Sequence, residues 1–161
     1  WTTAEITAIA SCWVGEPASM QTYLLGQDSP LGMLTRFVAR YCAADVVTGH
    51  YIRAHDLPVI NGALMELGLP PLSAKMTSDT KLDLVTRRHL SASQENLAEM
   101  LGVPAVKVHM SNAKWREANR LTPAGIELTR RRVEGDVRQH MALRAIMIAR
   151  GLLKPPKVWR P

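Results

Sequence analysis

The stretch VVTGHYIRAHDLPVINGALMELGLPP, residues 46–71, decides the fold. It begins in a short apolar run, DVVTG at residues 45–49, which lies between two helical stretches and reads as a buried parallel strand. The strand ends at Gly49-His50, and a few residues later Asp56 opens a helix over residues 56–67. Gly68 and the Pro70-Pro71 pair close that helix, since glycine suits the residue after a helix and proline cannot extend one. His50 therefore stands at a strand end, the place where ligand-binding residues gather in open α/β sheets.

Upstream of this stretch, residues 6–14 (ITAIASCWV) are rich in β-branched and aromatic residues and stop at Gly15-Glu16-Pro17, a strand and a turn. Residues 20–25 read as a second strand, stopped by Gly26-Gln27-Asp28. Ser29-Pro30 begins a helix over residues 30–43, with Leu31, Leu34, Phe37, Val38 and Tyr41 at helical spacing. Downstream, a strand at residues 75–79 leads into a helix carrying Leu82, Leu84 and Val85. Residues 91–101 form a helix with Ser93 as N-cap and Gly102 just past its end. Thr122-Pro123 opens the longest helix, running to about Arg150, and residues 151–161 read as an extended basic tail. Strands followed by helix–strand alternation indicate an α/β domain on a mixed sheet flanked by helices, spanning residues 1–150.

The bulk composition agrees. The 161 residues suffice for one ordinary domain. With 47% hydrophobic and 21% charged residues, the chain has a globular balance, and no apolar run is long enough to span a bilayer. Lys and Arg exceed Asp and Glu by 20 to 14, a net +6 that favours a polyanionic partner. Cys12 and Cys42 lack metal-ligand spacing and are expected as reduced, buried thiols of a cytoplasmic protein.

Taken in order, four segments resemble one family. Residues 46–71 look like the second motif of the DEDD, proofreading-type 3′–5′ exonucleases of the RNase H-like superfamily, in phage or bacterial form, with Asp56 at the motif's aspartate. SDTKLDL is similar to the family's Asp-Thr element, and SQENLAEMLGV to the helix after it. RRRVEGDVRQH is similar to the third motif, with Asp136 at its aspartate. The match covers nearly the whole chain. The resemblance implies an RNase H-like fold and metal-dependent phosphodiester hydrolysis of nucleic acid, DNA in preference to RNA. It also implies Asp56 and Asp136 as two of four carboxylates around a pair of Mg²⁺ or Mn²⁺ ions about 3.5–4 Å apart. His50, Tyr51, Arg53, His55 and Arg132 would contact nucleic acid, and Asp79 would be a supporting residue.

The chain departs from the family at three places. The Asp-x-Glu of the first, central strand has no counterpart, because Glu5 precedes the first strand and lacks a partner Asp. An upstream segment on the order of 20–40 residues, or a partner, is expected to complete the sheet. The general base of the third motif is replaced by Arg131 and Arg132, which accept no proton near neutral pH, leaving His140 as a substitute. Tyr51 stands where the family has Asn.

Two other readings compete. Residues 94–115 mimic a helix-turn-helix, with Val108 at the buried position of a second helix, though Ser111 stands at a position that should be apolar. A non-catalytic nuclease-like fold would instead bind nucleic acid through Arg130, Arg131, Arg132, Arg138, Lys154, Lys157 and Arg160, with Trp115 and Trp159 available for stacking.

Overall fold

Capped helices and short strands account for the architecture of the computed structural model, which describes residues 6–86, 89–104 and 108–161. The order is β1 (Ala8–Trp13), β2 (Glu16–Leu24), α1 (Pro30–Ala43), β3 (Val46–Gly49), α2 (Asp56–Glu66), β4 (Lys75–Asp79), α3 (Gln94–Leu101), α4 (Asn112–Asn119), α5 (Pro123–Ala149) and β5 (Lys157–Trp159). Ser29, Ser93, Ser111 and Thr122 each cap a helix by accepting a backbone N–H three residues on. Each such cap contributes about 1 kcal/mol.

The α/β class holds, but the strands form two sheets among the described residues. β1 and β2 make an antiparallel pair. β3, β4 and β5 make a mixed sheet in which β3 runs parallel and β5 antiparallel to β4. One core joins α1 and α2 to the strands, with Met33, Leu34, Tyr41, Leu57, Ile60, Leu64 and Trp159 at its centre. A second joins α3 and α5 through Leu97, Ala98, Leu143 and Met147, with Leu84 and Val103. Helix α5 ties the two sheets together. Glu134 accepts a hydrogen bond from Thr22 Oγ1 of β2 (2.9 Å), and His140 bonds Thr48 Oγ1 of β3 (3.1 Å). At its start Gly125 touches α4 so closely that a Cβ there would lie 2.3 Å from the Glu117 carbonyl oxygen.

Four expectations are corrected. No helix carries Leu82, Leu84 and Val85; the chain turns there, and Leu84 instead bridges Leu153. The basic tail is extended, but Trp159 is not available for stacking, since β5 pairs with β4 and buries it. Cys42 is exposed and Cys12 half-buried. The helix-turn-helix does not form as expected, because the helix after α3 starts at Asn112 and Val108 lies outside any helix. Residues 102–111 separate the two helices, against the 3–4 residues of that motif. Ser111 is polar because it caps α4. Glu5 and residues 105–107, which entered these expectations, lie outside the described residues. No helix among the described residues is long and apolar enough to cross a membrane.

The turn after β4 is held by a buried ion pair. Asp83 is fully buried, and its carboxylate takes both terminal nitrogens of Arg53 while also accepting the Asp79 N–H (2.8 Å). That guanidinium beside it, with the backbone bond, holds the Asp83 carboxyl below the ordinary value against the opposing and largest influence, burial. Removing one partner of such a pair strands a buried charge. Arg53→Met is expected to cost about 3–5 kcal/mol of stability in urea unfolding; a loss under about 1 kcal/mol would show that the pair is solvated.

Candidate functional site

β3 and β4 end side by side, with Gly49 opposite Asp79. The chain leaving β3 turns back on itself at once, and a Cβ on Gly49 would come within 2.0 Å of Ile52 Cγ2, so glycine is required there. The turn is fastened by Asp79, which is fully buried. Its Oδ1 accepts the N–H groups of Tyr51 (2.9 Å), Lys81 (3.0 Å) and Leu82 (2.9 Å), and its Oδ2 accepts that of Arg53 (3.2 Å). Thr80 N–H donates to the Gly49 carbonyl (3.0 Å). Tyr51 adopts φ 68°, a left-handed conformation rare for a bulky side chain. From there the N–H of His55 reaches the Tyr51 carbonyl (3.1 Å), and α2 begins at Asp56.

Asp56 thus follows directly on the turn that leaves β3. Although Asp56 is exposed, its carboxyl is held above the ordinary value, first because surrounding protein displaces water and then because the negative Asp79 and Asp136 act on it. His55 and the helix-start backbone oppose the rise. Asp136 of α5 is thus within electrostatic reach of Asp56 although 80 residues separate them in the chain. It is half-buried, with Arg132 Nη1 at 3.3 Å from Oδ1. Its carbonyl accepts from Gln94 Nε2 (2.9 Å), which fixes α3 against α5.

The remaining expected residues fall into two groups. His50, Tyr51 and His55 lie along the turn that leads to Asp56, with Tyr51 and His55 exposed. Arg53 and Arg132 point inward instead: Arg53 is held by Asp83, and Arg132 donates to the Val108 carbonyl (3.2 Å) as well as pairing with Asp136. His140 is not a helix-surface residue but 7% exposed, between Thr48 Oγ1 at Nε2 (3.1 Å) and Thr80 Oγ1 at Nδ1 (3.4 Å). Thr80 Oγ1 also bonds His50 Nδ1 (3.0 Å), so one hydroxyl joins both histidines. Thr48, Thr80 and Asp83 were not singled out as site residues. The only sequence signal for Thr80 and Asp83 is the SDTKLD cluster, whose two aspartates face inward on a turn, and Thr48 carries none.

For a metal, Asp56 and Asp136 offer hard oxygen ligands whose mutual repulsion a cation would relieve. Asp79 is committed to four backbone N–H groups. Among the described residues no group of three or more His, Cys, Asp or Glu side chains is placed to hold an ion.

Burial pushes His140 down to about 3 from 6.5, with the charges of His50 and Arg144 adding to the effect. The unfolded chain therefore takes up a proton near pH 6.5 that the folded chain refuses. Stability from this residue is complete above that pH and is lost as pH falls toward 3, by up to about 1.4 kcal/mol per unit. Between about pH 7 and about pH 5, wild type should lose roughly 2 kcal/mol more than His140→Gln in urea unfolding. Equal losses would show that His140 titrates freely.

Comparison with protein-family models, with curated proteins and with solved structures finds no match to this chain.

Proposed function

We propose that this chain is a metal-dependent 3′–5′ exonuclease domain of RNase H-like type that acts on nucleic acid, DNA in preference to RNA. The observation that carries the reading is that the negative charge of Asp136, on α5, contributes to raising the Asp56 carboxyl at the start of α2, just past the end of β3. Like charges are costly to gather without a reason, and a shared divalent cation is a common one. Mg²⁺ or Mn²⁺ bound there would activate water and stabilise the leaving oxygen of the phosphodiester.

Asp56 and Asp136 fit two of the four carboxylates that such a centre requires. The other two are proposed to come on a further strand, from this protein or a partner. Among the described residues, β1 pairs only with β2 and β3 only with β4, so each has an edge able to accept one. The protein's own contribution is to hold the substrate and orient the carboxylates. Arg132, 3.3 Å from Asp136 Oδ1, would hold that carboxylate in place. His140 is left out of the proposed catalytic set, because a buried imidazole held near 3 and bonded to two threonines takes no proton from water at neutral pH. Arg53 is likewise excluded from the nucleic-acid contacts by its engagement with Asp83.

A second reading, a nuclease-like fold that binds without cleaving, is favoured by the absence of a three-ligand group among the described residues. The arginines of α5 weaken a broad basic footprint, since Arg130, Arg131 and Arg138 each pair with Glu127 or Glu134 on the same helix. The two readings separate on turnover. With Mn²⁺ present, the 3′ end of a 5′-labelled single-stranded oligodeoxynucleotide should shorten. Asp56→Ala and Asp136→Ala should each reduce the rate at least about a hundredfold, as loss of an essential charge-stabilising group does. Wild-type rates in either variant reject its role as a ligand. Binding with no product at any Mn²⁺ concentration selects the second reading.

A further inference from the structure

Strand β2 lies against β1 along one edge, and among the described residues no strand covers the other. The Leu25 N–H donates to the Thr7 carbonyl (2.9 Å), and the antiparallel ladder repeats that pairing at Tyr23 with Ile9 and at Gln21 with Ser11. Met20, Thr22 and Leu24, in the opposite phase, turn their N–H and C=O groups away from β1. Leu24 is already engaged, its N–H by Asp28 Oδ2 (2.9 Å) and its carbonyl by the N–H groups of Gln27 and Asp28. Thr22 and Met20 are left with the backbone of an open edge. A groove of about 810 Å³ follows that edge, lined by successive residues of β2, by α1 and by Arg130 of α5.

Three arginines line the groove against one carboxylate, Asp28. Arg36 pairs with Asp28, and its guanidinium lies 4.4 Å from the centre of the Tyr23 ring. Arg40 lies 4.7 Å from the centre of the Trp13 ring and donates to the Ser19 carbonyl (2.7 Å); among the described residues no carboxylate pairs with it. Arg130 donates from Nη2 to Gln27 Oε1 (2.7 Å), while Glu127 and Glu134 share its charge. Both rings in the groove thus already carry a guanidinium, and a nucleic-acid base would have to displace an arginine to stack there. A guanidinium held flat on a ring presents its N–H groups outward, a match for carboxylates, and an open strand edge is a match for a peptide backbone. We propose that this groove is the docking site for an extended acidic segment of a partner protein. The segment adds a strand to β2 at Thr22 and Met20, with carboxylates set against Arg36 and Arg40 on the α1 side and Arg130 on the α5 side. The site belongs to the β1–β2 pair, not to the sheet that carries the Asp79 turn, and it does not rest on the nuclease reading.

The test is a binding measurement by fluorescence anisotropy on the full chain in EDTA, so that neither divalent ions nor cleavage enter. The probe is a fluorescein-labelled peptide, Thr-Glu-Glu-Thr-Glu-Glu-Thr, blocked at both ends, which carries glutamate on both faces of an extended strand. Binding is expected to saturate, and lysine in place of every glutamate should abolish it. Arg40→Gln keeps a donor for the Ser19 carbonyl and should weaken binding by about tenfold, the loss of one charge-assisted hydrogen-bonded pair. Arg130→Gln should act in the same direction, with the circular dichroism of both variants unchanged. Backbone pairing is read on the peptide itself. Of two versions N-methylated at alternate residues in opposite phase, one turns its methyl groups toward β2 and should lose binding, and the other turns them outward and should keep it. No saturable binding, equal affinity for the lysine peptide, an equal effect of the two methylation patterns, or wild-type affinity in a folded Arg40→Gln overturns the proposal. A single-stranded oligodeoxynucleotide that binds through Arg40 where the peptide does not also overturns it, and makes the groove a nucleic-acid surface.

Discussion

The Asp79 carboxylate, shut away from solvent at the end of β4, is the group on which the site depends. One of its oxygens takes three backbone N–H groups and the other takes a fourth, drawn from the exit of β3 and from the turn after β4. A buried carboxylate is costly unless it is satisfied in this way, and four orphaned N–H groups at two strand ends would be costly in turn. Each side solves the other's problem. The result is a rigid turn between β3 and α2, reinforced one step outward by Arg53 and Asp83, that points Tyr51 to solvent and starts α2 at Asp56. A loop free to wander could not present a carboxylate at a defined place.

Helix α5 supplies the opposite wall. Its inward face carries Leu143, Met147 and His140, and its contacts with Thr22 on one sheet and Thr48 on the other set its position. Asp136, one turn before His140, is thereby delivered to the strand ends. The threonines Thr48 and Thr80 keep the buried His140 hydrogen-bonded without a charge, so the interface between helix and sheet can be polar and still closed. The close approach of α4 at Gly125 fixes the other end of the helix.

Much of this was legible in the sequence where local rules govern. Ser29-Pro30 and Thr122-Pro123 marked α1 and α5 because capping and proline act over three or four residues. The strand at Lys75–Asp79 and the glycine after α3 were readable for the same reason. The misreadings share a different cause. Leu82, Leu84 and Val85 were expected on a helix, yet the Asp79 and Asp83 carboxylates capture the local N–H groups and hold a turn instead. The proline-rich tail becomes β5 only because Thr77 and its neighbours, 80 residues away, offer it an edge. Arg53 resembled a phosphate contact until a buried partner accounted for it. Such long-range pairings leave no periodic trace in sequence. Of the candidate site, Asp56 and Asp136 were singled out from the sequence, whereas the network of Asp79, Thr80, Asp83 and His140 around the turn was not.

The central claim is that the turn after β3 and helix α5 bring Asp56 and Asp136 close enough to share a cation. Calorimetric titration of the full chain with Mn²⁺ addresses it without reference to any substrate. A saturable heat of binding that disappears in Asp56→Asn and equally in Asp136→Asn, with both variants folded, is the expected result. No saturable binding to the wild-type chain, or a site indifferent to either substitution, would contradict it.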